Sequence, residues 1–236
     1  MAKRPIFTPN LRGFPYVESI DIEFKWYSGF SNLQLQKSIA SLHAAAGKLK
    51  KIAPILEISR KSASDLGNSL SAFNLLLKAP DGQKVSVECA YQGSKVFEKG
   101  GPYHELYSVP SRAAKTDDRL RNSGALIAFN FCGEEFPTEP KTAFYDWLYM
   151  NALYQKKSDL LKELEAYQGF SDIVFNPNRS INCQARAAAL FISLSKNELI
   201  DKRTLEDRDR YLEIITDKTQ LSSTQQTPYQ LTLPFS

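Results

Sequence analysis

"VECAYQGSKVFEKGG", residues 87–101, sets Glu88, Gln92 and Lys95 four and three positions apart in a stretch with few other charges. On a helix, positions i, i+4 and i+7 share a face, so these three side chains are expected to form one polar stripe. Val87, Ala90, Tyr91, Ser94 and Phe97 fall on the packed stripe beside it. Two readings of the stripe are open: a solvated face bordering the core, or a site where a half-buried lysine stands next to a carboxylate. An ordinary lysine, with a pKa near 10.4, is a free amine in about one molecule in 2,500 at pH 7. Lowering that pKa to about 7 takes roughly 4.6 kcal/mol of differential desolvation, within the range of buried lysines.

Working outward, "SAFNLLLKA" (71–79) and "KVSV" (84–87) are expected to pair as strands around the turn "APDGQ", whose Pro-Asp-Gly content favours reversal. Upstream, "VESIDIEFKWY" (17–27) alternates Ile20, Ile22, Phe24 and Trp26 against Asp21, Glu23 and Lys25, which predicts a half-buried strand. Leu35, Ile39, Leu42, Ala46 and Leu49 recur at helical spacing behind Ser31, a suitable N-cap. "PILEIS" (54–59) predicts a short strand. Downstream, a helix from Ser111 is expected to stop at Gly124, where a left-handed residue belongs. A buried strand "ALIAFNF" (125–131), helices over 142–155 and 158–168, and a strand "FSDIVFN" (170–176) follow. A long helix over 181–195 and a charged one over 204–216 complete the pattern. No internal repeat is visible.

Bulk properties narrow the classes. At 42% hydrophobic and 24% charged residues, the 236-residue chain has the composition of a globular protein with a core. The net charge of +4 is compatible with a polyanionic partner without requiring one. Cys89, Cys132 and Cys183 are too scattered for a disulfide framework or a metal pair, and a reducing, cytoplasmic setting is expected. The start "MAKRPIFTPN" has no apolar core of a secretory signal, and no apolar run reaches membrane-spanning length. P-loop, GxGxxG, HExxH and nucleophile-elbow patterns are absent. With only His43 and His104, no metal or other cofactor is implied, and any chemistry is expected to run on Lys, Glu, Asp, Asn and Tyr.

"LSAFNL" (70–75), a turn and then "VECAYQGSKVF" (87–97) resemble the signature of NADAR-domain proteins, in which an "LSNFY"-like segment precedes a helix of the form E-x-x-Y-Q-x-x-K. Glu88, Tyr91, Gln92 and Lys95 match that helix position by position. "AAKTDDR" (113–119), "WLYMNAL" (147–153) and "INCQARAAAL" (181–190) are similar to later family segments, so the likeness covers roughly 65–195. "FKWYSGF" (24–30) and "EISRKS" (57–62) make the branch paired with DarT-type toxins the best match. In place of the usual acidic segment with a Trp-Gly pair stands "FSDIVFNPNRS" (170–180), from which Asp172 is the carboxylate carried over.

The resemblance implies a helix-rich α+β NADAR/YbiA-like fold with a small, mainly antiparallel sheet. Residues 1–64 would form a strand–helix extension packed on a catalytic domain of 65–216, with a tail of 217–236. It implies an ADP-ribosyl glycohydrolase that removes ADP-ribose from guanine in DNA, an antitoxin to a DarT-type toxin. Other functions left open are an N-glycosidase acting on a free ribosylamine metabolite and a non-enzymatic antitoxin that sequesters toxin or modified DNA. Under the implied chemistry Lys95, Glu88 and Asp172 are catalytic. Glu88 handles the proton, and Lys95 either forms a Schiff base with the opened sugar or binds phosphate or ribose while water attacks. Asn74, Gln92 and Asn182 would fix hydroxyls or the base edge. Phe73 and Tyr91 would stack on the ligand or serve as core aromatics. Lys115 and Arg119 would meet diphosphate or DNA backbone, or lie on a solvated helix face. Finally, "QLTLPF" (230–235) resembles the hexapeptide by which bacterial repair proteins dock on the sliding clamp, with Gln230, Leu231, Leu233 and Phe235 as anchors.

Overall fold

Ala2–Pro9 (β1) and Val17–Phe24 (β2) form a hairpin paired along its whole length, from Ala2 opposite Phe24 to Pro9 opposite Val17. The computed structural model describes residues 1–29, 31–156 and 159–216. The predicted alternation in β2 holds: Ile22 and Phe24 are buried, while Asp21 and Glu23 are exposed. Asn32–Lys50 (α1) starts where expected, with the Ser31 hydroxyl accepting from Gln34 N–H. Its Leu35, Ile39, Leu42 and Ala46 are buried, whereas Leu49 is exposed. Ile55–Glu57 (β3) then returns to the hairpin's sheet.

Asp65–Ser69 (α2) is capped by Ser64 and was not anticipated from the sequence. The strand expected over 71–79 is shorter than its apolar run suggests. Residues 70–75 instead form a tight turn, with Asn74 and Leu75 N–H both bonded to Ser71 O, and only Leu76–Lys78 (β4) is extended. The Asn74 amide donates to Asn68 O at 3.0 Å, a local bond that competes with a ladder. β4 pairs with Lys84–Ser86 (β5) as predicted. Val87–Gly93 (α3) follows at once, with the Ser86 hydroxyl accepting from Cys89 N–H. Lys95–Phe97 (β6) and a 3-10 turn at His104–Ser108 come next.

The helix predicted from Ser111 is broken into Ser111–Lys115 (α4) and Arg119–Asn122 (α5), and Gly124 has the expected positive φ of 86°. Leu126–Phe131 (β7) and Glu134–Phe136 (β8) join β6 in a three-stranded antiparallel sheet. Ala143–Tyr154 (α6) packs Phe144 against Phe129, ring centroids 4.5 Å apart, and Trp147 against Phe136 at 4.7 Å. Leu160–Glu165 (α7) precedes Gly169–Ser171 (β9), a shorter strand than predicted. Gln184–Lys196 (α8) is followed by two helices where one was expected, Lys202–Glu206 (α9) and Arg208–Thr216 (α10).

The four-stranded sheet has the order β2-β1-β9-β3, and only β3–β9 is parallel among the described pairings. Alternation along β1 sends Ile6 and Phe7 to opposite faces. Ile6 joins Ile22, Phe24 and the α1 residues Ile39 and Leu42 in one apolar cluster. Phe7, Leu56 and Phe170 join the larger cluster built on α6 and α8. Ala185, Ala187, Ala188 and Ala189 are fully buried, and their small side chains let α8 lie close to the sheet and to α6. The fold is therefore α+β, with mainly antiparallel sheets. Residues 1–64 are woven into it, because β9, from residue 169 onward, sits between β1 and β3. The tail residues Gln230, Leu231, Leu233 and Phe235 lie outside the described residues.

This interleaving makes a prediction. A fragment starting at residue 65 strips β9 of both neighbouring strands and uncovers the apolar face under Phe170. It is expected to show no cooperative unfolding transition by circular dichroism in urea. A transition as steep as that of the full chain would contradict this arrangement.

Candidate active site

The helix that carries Glu88 and Gln92 ends at Gly93, one turn earlier than its sequence pattern suggests, and Lys95 opens β6 instead. Gly93 has low helix propensity, and the Ser94 hydroxyl bonds back to Ala90 O at 2.7 Å. Glycine is needed there: a Cβ on Gly93 would lie 2.6 Å from the Tyr107 ring of the 3-10 turn. The loop after β6 closes just as tightly, because a Cβ on Gly101 would meet Lys95 O at 2.2 Å.

The polar stripe survives this change of element. Lys95 Nζ donates to Gln92 Oε1 at 2.7 Å, and Gln92 Nε2 donates to Glu88 Oε1 at 2.9 Å. Lys115 Nζ, from α4, reaches the same Glu88 oxygen at 3.6 Å. Glu88 is 5% exposed and Gln92 7%, which rules out a solvated face. Lys95 Nζ also lies 4.7 Å from the centre of the Tyr91 ring. Burial drives the Lys95 pKa down to about 8; the Glu88 charge opposes that shift and the Lys115 charge adds to it.

These groups line one cavity of about 810 Å³. Of the residues singled out in the sequence, Phe73, Glu88, Tyr91, Gln92, Lys95, Lys115, Asp172 and Asn182 line it. Phe73 projects from the 70–75 turn, with the Arg60 guanidinium 4.6 Å and the Lys115 ammonium 5.1 Å from its ring centre. Tyr91 is both wall and core: its ring packs on Phe129 and Tyr145, while its hydroxyl accepts from Asn182 Nδ2 at 2.7 Å. Burial pushes its phenol up to about 12. Asn182 precedes α8 rather than lying within it, and its Oδ1 is buried with no partner among the described residues.

Two expected residues are elsewhere. The Asn74 amide is bonded to Asn68 and lines a different cavity, beside Lys78 and Lys156. Arg119 pairs with Asp117 and Glu105 over the Tyr103 ring, outside the cavity. Its predicted place on the helix face from Ser111 is lost because the chain breaks between α4 and α5.

Asp172 is 9% exposed at the wall of the same cavity. Its Oδ1 accepts from Val174 N–H at 3.1 Å and its Oδ2 from Gln184 Nε2 at 3.0 Å. Burial, reinforced by the charge of Glu57, raises its pKa to about 8. Glu57 is itself buried, which raises its pKa too, and it accepts from Ser59 Oγ, Ser171 Oγ and Ile173 N–H. Ser171 Oγ also lies 2.8 Å from His43 Nε2, so the imidazole joins the same buried network. Burial lowers His43 to about 4, consistent with a neutral ring. At neutral pH burial and the Glu57 charge therefore favour the protonated form of Asp172.

Gln184 joins the parts. Its Oε1 accepts from Ala72 N–H at 2.7 Å, and its Nε2 serves Ile58 O and Asp172. Sequence reasoning missed Gln184, Glu57, Tyr145, Arg4 and Arg179. All but Arg4 stood inside segments already singled out, but nothing local marked these side chains as part of a site.

The family described as "DarT1-associated NADAR antitoxin" matches residues 2–225, and the chain belongs to it. That match takes in β1–β3 as well as the stretch of about 65–195 that carries the motif-bearing helices. No curated protein matches the chain. The family's name ties it to a DarT1 toxin.

The buried acid gives a stability prediction. Asp172 has a folded pKa near 8 and an unfolded value near 3.9, so the folded chain holds the extra proton between those limits. The wild type therefore loses stability as pH rises from about 4 to about 8. Asp172→Asn does not titrate, so its melting temperature relative to wild type should climb by several degrees between pH 5 and pH 9. A constant difference would contradict the raised pKa.

Proposed function

We propose that the chain is a hydrolase that removes ADP-ribose from guanine bases of DNA, reversing modification by a DarT1-type toxin. The observation that carries this reading is the convergence of a desolvated lysine, Lys95, and two carboxyl groups, Glu88 and Asp172, on one cavity. A volume of about 810 Å³ suits a dinucleotide-sized ligand better than a small ribosylamine metabolite. Membership of an antitoxin family linked to a DarT1 toxin supports the same substrate.

The bond to be broken joins the anomeric carbon of ribose to the exocyclic amine of guanine. At pH 7 a lysine of pKa about 8 is a free amine in roughly one molecule in ten, against one in 2,500 for an ordinary lysine. The Lys95 lone pair attacks the anomeric carbon as the bond to guanine breaks, and the departing amine takes a proton from a carboxyl group. Asp172 is better suited to that donation than Glu88, because its environment keeps it protonated near neutral pH. Glu88, held by Gln92 and Lys115, then stabilises the positive charge that develops on the sugar. The sugar ring opens to an iminium on Lys95, and the ring oxygen takes the proton that Nζ loses. Water adds to the iminium carbon, expels the amine and leaves free ADP-ribose, splitting one hard step into two. A guanine in a duplex must first be turned out of the stack.

A guanine-ADP-ribosylated oligonucleotide, wild-type protein and Lys95→Ala test the reading. The expected result is release of ADP-ribose by wild type, a loss of at least a hundredfold in the variant, and a borohydride-trapped ADP-ribosyl adduct on Lys95. Binding without release would replace hydrolysis with sequestration. Release that persists in Lys95→Ala would keep the hydrolase and refute the covalent step.

A further inference from the structure

Arg4 and Arg179 line the cavity from segments that the proposed chemistry does not use, and neither has an acidic partner among the described residues. Arg4 stands on β1, on the same face as Ile6. Its Nε is buried with no acceptor among the described residues, its one described side-chain hydrogen bond runs from Nη1 to Lys3 O, and its guanidinium lies 5.7 Å from the Trp26 ring centre. The nearby Asp21 is taken by Lys3 at 2.9 Å. Arg179 is presented by a turn in which Arg179 and Ser180 N–H both bond to Asn176 O, so its backbone is held while its exposed side chain is free to reach.

The other two cations on the wall are committed, Lys95 to Gln92 and Lys115 to Glu88. Buried donors are normally satisfied, and a guanidinium that lacks a carboxylate is suited to phosphate oxygens. We infer that Arg4 and Arg179 form an anion subsite at this cavity that binds a phosphate group of the ligand. The N-terminal strand thereby contributes a binding residue as well as a strand. The inference rests on the reading of this cavity as the site for ADP-ribosylated DNA. The phosphate is then either in the ADP-ribose diphosphate or in the DNA backbone, since both offer the same oxygens.

Equilibrium binding of free ADP-ribose, adenosine and an unmodified single-stranded oligonucleotide to wild type, Arg4→Gln and Arg179→Gln separates these sources. If the diphosphate occupies the subsite, each variant should bind ADP-ribose about ten- to a hundredfold more weakly, with adenosine and oligonucleotide binding unchanged. If the backbone occupies it, oligonucleotide binding should fall and its salt dependence flatten by about one unit per arginine, with ADP-ribose binding unchanged. Affinities of both phosphate probes within twofold of wild type in both variants would overturn the subsite, as would failure of wild type to bind either probe. Should Arg4→Gln not fold, Arg179→Gln alone decides, because its side chain is exposed. Wild-type binding of ADP-ribose without turnover of modified DNA would refute hydrolysis and leave the subsite standing. Turnover with unaltered binding in the variants would do the reverse.

Discussion

Lys95 Nζ is held 2.7 Å from Gln92 Oε1 and close over the Tyr91 ring, in surroundings that strip it of water, and the neighbouring elements are shaped to keep it there. α3 must end at Gly93 so that the 3-10 turn can close on it, and Gly101 must have no side chain so that the next loop can cross Lys95 O. Desolvation would drive the amine toward neutrality, and the Glu88 charge limits how far that goes. Gln92 ties these two groups together without adding charge. A lysine on the solvated face of a longer helix would have no such shift.

The acid side of the cavity depends on a second buried arrangement. Asp172 is raised by burial and by Glu57, and Glu57 is held by hydroxyls from Ser59 and Ser171 and by Ile173 N–H. Those residues stand at the ends of the parallel β3–β9 pair or just beyond. Because β9 lies between β1 and β3, the position of the acid depends on the N-terminal hairpin. Gln184 carries the linkage to the 70–75 turn, and so to Phe73 at the cavity rim. This amide is one of the links between fold and site.

Much of this was legible in local sequence. The alternation in β2, the Ser31 cap of α1 and the β4–β5 turn rest on short-range rules, and the structure keeps them. The Glu88–Gln92–Lys95 grouping was visible as spacing, although Lys95 reaches Gln92 from a strand and not from a helix. β1 was invisible because Pro5 and Pro9 discourage a strand reading. It tolerates them because β9 meets β1 only at Phe7, leaving Pro5 with a single described neighbouring strand. The contacts of Gln184 with Ala72 and Ile58 span 112 and 126 positions, and no periodicity carries such information. For the same reason Arg4 and Glu57 could be assigned to the cavity region only from the folded chain. Arg119 shows the converse failure, a helix-face expectation undone by a break between two short helices.

Burial brings the Lys95 pKa down toward neutral pH, and that shift can be measured without any substrate. NMR titration of the lysine side-chain carbons, with Lys95 assigned by comparison with Lys95→Arg, reports its pKa directly. The expected midpoint is near pH 8, shifting downward in Glu88→Gln as the opposing charge is removed. A midpoint near 10.5, unmoved by Glu88→Gln, would contradict it.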